Sequence, residues 1–365
     1  MGAYVCDTCD KVFTQKGHYD SHKARKRPCK KNDAIEKLIE KKVQEALRSR
    51  GVATGTGTAQ VEIIKPFMKW VGGKTQIIHE VMAAFPREMH NYHEPFLGGG
   101  SVLLALLSHK RNGTIQISGK IYASDLNSNL IALYKNVQSH PDALIAEVKK
   151  LSDEFATCNG MVVNRKATTM EEALTSPESY YYWIRSRFNA FSKEERTSVV
   201  ASAMLLFLNK TCFRGVYREG PRGFNVPFGN YQHPSILDDA HIRTVSECIQ
   251  EVVFTTEPYD ESLSRCVSGD FVYLDPPYAP ENNTSFVSYT SDGFNLDNHK
   301  KLFELCGTMT SKNIKMLMSN ADVTLVKNVF PSSGYVTKII SCRRAIHSKE
   351  PNARANEVLI TNRGI

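Results

Sequence analysis

No run of about 18 apolar residues occurs in this 365-residue chain and no apolar segment opens it, so the sequence argues against a membrane span and against secretion. Six of its nine cysteines, Cys158, Cys212, Cys248, Cys266, Cys306 and Cys342, are scattered without framework spacing; they read as reduced thiols inside a cell. No internal repeat is apparent. A phosphate loop is missing too. Lys69-Trp70-Val71-Gly72-Gly73-Lys74-Thr75 imitates one, but that motif needs a glycine five residues before Gly73, and Met68 stands there. Charge of one sign is scarce over most of the chain. The net charge is +8, yet residues 1–50 carry 13 Lys and Arg against 7 Asp and Glu, and the remainder carries 33 against 31. Any electrostatic grip on phosphates therefore centres on the first fifty residues, where a solvated basic helix face would look the same. Lys23-Ala24-Arg25-Lys26-Arg27 is a weak nuclear address, and nothing separates cytoplasm from nucleus.

The apolar run Phe271-Val272-Tyr273-Leu274 predicts a buried strand, and Asp275-Pro276-Pro277-Tyr278 follows it directly. An ordinary strand-to-loop turn could use the same residues, with prolines stopping the strand and Asp275 capping the next segment. The tetrapeptide also suits methylation of an exocyclic amino group. The amino nitrogen of adenine is a poor nucleophile because its lone pair is delocalised into the ring, so a catalyst must localise that pair. Asp275 can accept one N–H and the Pro276 carbonyl the other, because two prolines stiffen the turn and leave its carbonyls without competing local donors. Held in this way, the nitrogen becomes pyramidal at little reorganisation cost, which is electrostatic preorganisation rather than general-base catalysis. Tyr278 would stack on the base, and a base inside a duplex must first be flipped out.

Upstream, Glu94-Pro95-Phe96-Leu97-Gly98-Gly99-Gly100-Ser101 is a glycine loop opening an apolar helix, where backbone can approach a nucleotide or S-adenosylmethionine closely. A plain glycine-rich turn is the alternative. About 20 residues on, Ile121-Tyr122-Ala123-Ser124-Asp125 predicts a short strand ending in an acid, where an α/β nucleotide site places its ribose-binding carboxylate. A lysine beside a glycine turn, as at Lys74, can meet the donor's carboxylate or a DNA phosphate.

These segments together resemble the DNA adenine methylase (Dam-like, D12 class) family of N6-adenine methyltransferases over about residues 65–365. Further landmarks are Asn209-Lys210-Thr211-Cys212-Phe213, Tyr217-Arg218, Phe224-Asn225-Val226-Pro227-Phe228-Gly229 and Ser319-Asn320. The resemblance implies an α/β fold, a Rossmann-like methyltransferase sheet with a helical target-recognition insert. It implies S-adenosylmethionine as methyl donor, in a pocket of Trp70, Lys74, Phe96, Gly98, Gly100, Asp125, Tyr259 and Asp275. It also implies double-stranded DNA as substrate, read by Lys69 and residues 209–231, with Arg214, Arg218, Pro227 and Asn320 at or near the DNA. Arg218 is the side chain expected to read a base edge, since a guanidinium pairs bidentately with guanine. Lys69 and Arg222 could contact phosphates alone, and Phe213, Phe224 and Phe228 could be simple core. Arg214-Gly215-Val216-Tyr217-Arg218 stands where GATC-methylating members usually have Asn-Gly-Leu-Tyr-Arg; the variant looks more like relatives acting on CATG. A cognate restriction endonuclease would fit such a role. An enzyme acting on RNA adenine is one rival reading. Methylation of cytosine N4 is disfavoured because Ser usually replaces Asp275 in those enzymes. A zinc-finger regulator with a non-catalytic methyltransferase scaffold is the rival from another class.

At the front, Cys6-x2-Cys9-x3-Phe13-x5-Tyr19-x2-His22, with Cys29 beyond, fits a small ββα zinc finger of Cys2HisCys type. So small a piece needs its metal, Zn2+, to fold. Gln15, His18 and Ser21 fall where a recognition helix meets bases, and one finger covers only about three base pairs. Residues 33–50 predict an amphipathic helix that could dock or dimerise, followed to residue 60 by a flexible tether. The expected division is 1–32 finger, 33–60 helix and linker, 61–140 with 254–365 catalytic, and 141–253 target recognition.

Overall fold

A computed structural model describes residues 4–6, 12–13, 15–24, 61–279, 294–343 and 354–362. Two compact units emerge, Met1–Gln60 and Val61–Ile365.

Within the larger unit the main sheet has seven strands: β1 Tyr92–Glu94, β2 Ile121–Asp125, β3 Val252–Thr256, β4 Phe271–Leu274, β5 Lys315–Ala321, β6 Tyr335–Arg343 and β7 Arg354–Asn362. Their order is β6-β7-β5-β4-β1-β2-β3. The neighbours from β5 to β3 pair in parallel, while β7 runs antiparallel to both β5 and β6. The apolar run of β4 is explained by burial on both faces. Phe271 and Tyr273 join one core cluster and Val272 and Leu274 the other, following the period of two. Each of these side chains contributes roughly 1.5–3 kcal/mol by leaving water, so a charged residue in β4 would break the sheet at its centre.

Chain order reverses direction between β1 and β4: β2 and β3 continue to one side, β5 to the other. Such a switch point leaves a crevice beyond the carboxyl ends of the strands, where ligands of open α/β sheets bind. The segments that leave β1 and β4 there are the glycine loop and Asp275-Pro276-Pro277-Tyr278.

Residues 141–253 are mostly helical, as expected. Pro141–Thr157, Pro177–Ala190 and Val199–Thr211 share one apolar core with Tyr134, Phe254 and Phe271 of the sheet region. Val252 already belongs to β3, so the sheet resumes two residues before position 254.

The smaller unit holds a hairpin, Tyr4–Val5 paired antiparallel with Val12–Phe13, and the helix Lys16–Lys23. Cys6 and His22 are buried, and Phe13 packs against His22 (4.9 Å between ring centroids) and Tyr19 (6.1 Å). Gln15, His18 and Ser21 are exposed. Cys9, Cys29, the helix expected at 33–50 and the tether lie outside the described residues.

Candidate active site

The loop after β1 is a backbone cradle. Gly98 and Gly100 adopt φ of 49° and 65°, and a Cβ on Gly100 would lie 2.3 Å from the Tyr134 hydroxyl. One wall is Trp70, whose indole would be 3.1 Å from a Cβ on Gly98. Asp125, at the end of β2, accepts from the N–H of Gly98 (3.0 Å, Oδ2) and of Asn127 (2.9 Å, Oδ1). Burial pushes its carboxyl up and those N–H groups oppose the shift. Phe96 stacks on Tyr259 at 5.4 Å and 25°, so two of the expected donor-pocket aromatics come together from segments 163 positions apart. The Tyr259 hydroxyl donates to the Asn298 carbonyl (3.1 Å).

Lys74 joins this cradle to the Asp275-Pro276-Pro277-Tyr278 turn. Its side chain is only 4% exposed, and its Nζ lies 2.7 Å from Asp275 Oδ2, donates to the Gly72 carbonyl (2.5 Å) and sits 5.0 Å from the Tyr278 ring centroid. Its backbone N–H donates to Ser101 Oγ (2.9 Å) at the start of the glycine-loop helix. Burial raises the Asp275 carboxyl, Lys74 opposes that, and Glu357 adds to it. Beneath lies a residue that sequence reasoning left without a role. Glu94 is buried, accepts from the Tyr92 hydroxyl (2.6 Å) and is pushed up to about 8, chiefly by burial.

Asn320 is 0% exposed; its Oδ1 accepts from the N–H of Ala279 (3.0 Å), and its buried Nδ2 has no partner. Expectation had put it among DNA-contacting residues. There its side chain holds the backbone just after Asp275-Pro276-Pro277-Tyr278, with one amide donor left unpaired.

The expected DNA-reading residues converge at the end of the helix Val199–Thr211. Asn209 binds Lys69 through both backbone groups (3.0 Å to its N–H, 2.7 Å to its carbonyl), and the Lys69 stem covers Gly215. Lys69 Nζ lies 4.9 Å over Tyr231. Arg214 adopts a left-handed φ of 58°, unusual for a residue with a side chain, and its N–H donates to the Tyr231 hydroxyl (2.9 Å). Pro227 is exposed, and its carbonyl accepts from the Phe213 N–H (2.9 Å). Phe213 itself is 49% exposed, which corrects the reading of it as core; Phe224 is buried as expected. Arg218 is exposed, with Nε and Nη2 bonded to Asn225 Oδ1 (2.6 Å) and O (3.3 Å). Tyr217 stacks on Trp70 at 5.3 Å, so the segment expected to read DNA and the glycine cradle share a wall.

Among the described residues, one trio could hold a metal: His93, Cys266 and Asp270, all buried. The Asp270 carboxylate already accepts from Asn91, from the Val267 N–H and from His93 Nε2, so the cluster reads as a core clasp. No helix among the described residues is long and apolar enough to cross a membrane.

Residues 70–346 match the D12 class N6 adenine-specific DNA methyltransferase family. A type II methyltransferase, M.MjaIII, from Methanocaldococcus jannaschii is 34% identical over 309 residues, covering 82% of this chain and 99% of the relative. A DNA adenine methylase from Vibrio cholerae is 30% identical, covering 77% and 90%; that of Escherichia coli K12 is 29% identical, covering 78% and 90%. S-adenosylmethionine is the methyl donor and double-stranded DNA the substrate of such enzymes. The chain therefore belongs to the D12 class N6 adenine-specific DNA methyltransferases.

Proposed function

We propose that Asp275 and the Pro276 carbonyl hold the amino group of a flipped adenine, that Pro277 stiffens the turn, and that Tyr278 stacks on the base. The Lys74–Asp275 ion pair carries this reading, because it ties the only acid of the turn to the glycine-loop helix. Lys74 engages Oδ2, leaving Oδ1 to accept an amino N–H. S-adenosylmethionine supplies a methyl group on a sulfonium. Trp70, Lys74, Phe96, Gly98, Gly100, Asp125, Tyr259 and Asp275 are proposed to hold it: the glycine backbone admits close approach, Asp125 suits ribose hydroxyls, and Phe96 and Tyr259 suit a purine face. After transfer the amino nitrogen gives up one proton, and Asp275 is its nearest acceptor.

Lys69, Arg214, Arg218 and Pro227 are proposed to meet the duplex. The half-exposed Phe213 beside Arg214 offers an apolar wedge of the kind that fills unstacked steps. The target is proposed to be a short palindrome containing adenine, CATG-like or GATC-like. Cys6, Cys9, His22 and Cys29 are proposed to bind zinc in the N-terminal unit; the inward burial of Cys6 and His22, with His18 left exposed, supports that set. A cognate endonuclease and dimerisation through residues 33–50 remain part of the proposal.

Long-read detection of modified bases on plasmid DNA incubated with the protein and S-adenosylmethionine tests the reading. N6-methyladenine confined to one short motif is expected. Methyl transfer to RNA alone, or none with folded protein, would overturn it.

A further inference from the structure

We infer that Glu357 is a positioning residue for methyl transfer, fixing the ring of Tyr278 and through it the stacking wall of the base pocket. The inference rests on the stacking role proposed for Tyr278. The Tyr278 hydroxyl donates to Glu357 Oε2 at 2.8 Å, across 79 positions of sequence. Topology explains how the carboxylate arrives there. Parallel strands β4 and β5 end at the ligand edge of the sheet. Because β7 runs antiparallel to β5, it begins at that edge, with Glu357 opposite Ala321 and Val358 opposite Asn320. Val358 turns into the core, so its neighbour Glu357 turns to the other side, toward the catalytic turn.

Tyr278 follows two prolines at the exit of β4, and a tyrosine there can swing about two side-chain torsions. In this structure both its tip and one face are engaged: the hydroxyl by the Glu357 carboxylate, the ring by the Lys74 ammonium 5.0 Å from its centroid. The remaining face is the one a flipped base can use. Burial and the neighbouring acids hold the Tyr278 phenol well above its usual range, so it stays a donor throughout the pH range of an assay. Asn320 braces the other end of the same turn through the Ala279 N–H. The stacking ring is thus held by β7 and the backbone behind it by β5.

The test uses the full-length protein and a duplex carrying 2-aminopurine at the methylated adenine, whose position comes from the modified-base map. A flipped 2-aminopurine brightens on leaving the duplex and is quenched again when it stacks on an aromatic ring. Glu357→Ala is expected to give brighter emission than the wild type and to lower kcat by about tenfold to a hundredfold, the scale of a misplaced reacting group. KM for S-adenosylmethionine is expected to stay put. Glu357→Gln, which keeps an acceptor for the hydroxyl, is expected to restore part of the kcat and the quenching. Tyr278→Phe keeps the ring and loses the anchor, so it should match Glu357→Ala, and the double variant should be no worse than either. Should Glu357→Ala fail to fold, Tyr278→Phe and Glu357→Gln still decide.

If Tyr278→Ala brightens the probe while Glu357→Ala and Tyr278→Phe behave as wild type, the positioning role is wrong and the stacking role stands. If Tyr278→Ala leaves emission and kcat unchanged, the stacking role fails and this inference with it. Equal damage from Glu357→Gln and Glu357→Ala would assign the effect to charge, and would also overturn the inference.

Discussion

The role proposed for Asp275 requires its carboxylate to stay ionised where burial opposes ionisation, and Lys74 counters the burial. Replacing Asp275 by alanine removes the proposed amino-group acceptor while leaving the exposed tip proposed to meet the duplex untouched. Methyl transfer should fall by at least about a hundredfold to a thousandfold, as when a preorganised hydrogen-bond partner is lost. Duplex binding in a gel-shift assay should survive; loss of both together would point to misfolding instead. Lys74→Met acts differently. Without the ammonium at 2.7 Å, the Asp275 carboxyl rises further, so the acid limb of kcat/KM should move to higher pH. An unmoved limb would mean that Asp275 is not the group whose ionisation limits the rate. Gly100 is the third residue whose replacement has a defined consequence. Alanine there would take a left-handed φ of 65° and press its Cβ toward the Tyr134 hydroxyl, costing about 1–3 kcal/mol of stability for the backbone conformation alone, readable by thermal unfolding.

Strands carry a further consequence through Glu94, the last residue of β1. A carboxyl raised on folding from the ordinary 4.5 to about 8 binds its proton more tightly in the native state. Its contribution to stability is therefore complete below about 4.5 and is lost as pH rises through about 8. Glu94→Gln keeps an acceptor for the Tyr92 hydroxyl and cannot titrate, so its thermal stability should change less than the wild type's between those limits; parallel pH profiles would refute the shift. Elements of this kind also show what a sequence can disclose. Phe271–Leu274 and Ile121–Asp125 are legible because unbroken or near-unbroken apolar runs ending in an acid describe strands buried on both faces. The glycine loop and the Asp-Pro-Pro-Tyr turn are legible because their chemistry is local. Pairing is not local. That β7 inserts antiparallel beside β5, delivering Glu357 to Tyr278, depends on a register set across the whole sheet. Nor does an aromatic between Cys212 and Arg214 announce that it faces solvent, as Phe213 does, or Ser319-Asn320 that the amide lies buried behind the turn.

Across the whole molecule, the chain divides at residue 60, and on the proposed reading the methylated motif is read by the larger unit alone. The larger unit contains the glycine cradle, the Asp275-Pro276-Pro277-Tyr278 turn and the tip that bears Lys69, Arg214 and Arg218, so on the proposed reading the methylated motif is set there. The described residues of the N-terminal unit form a two-strand hairpin and an eight-residue helix around Phe13, and a piece of that size taken alone buries too little apolar surface to fold without a cross-link or a metal. If the proposed zinc site is filled, removing the metal with a chelator should unfold that unit, and deleting residues 1–60 should remove it, while leaving the other intact. The deletion also takes away the basic residues concentrated in the first fifty positions, the proposed electrostatic grip on phosphates. DNA affinity should drop, and the slope of log affinity against log salt should become shallower, because fewer counterions are released. The modified-base map should show the same motif as the full-length protein. A changed motif would place part of the sequence readout in the finger. Unchanged affinity at every salt concentration would mean that the finger's exposed face, with Gln15, His18 and Ser21, serves a protein partner instead of DNA.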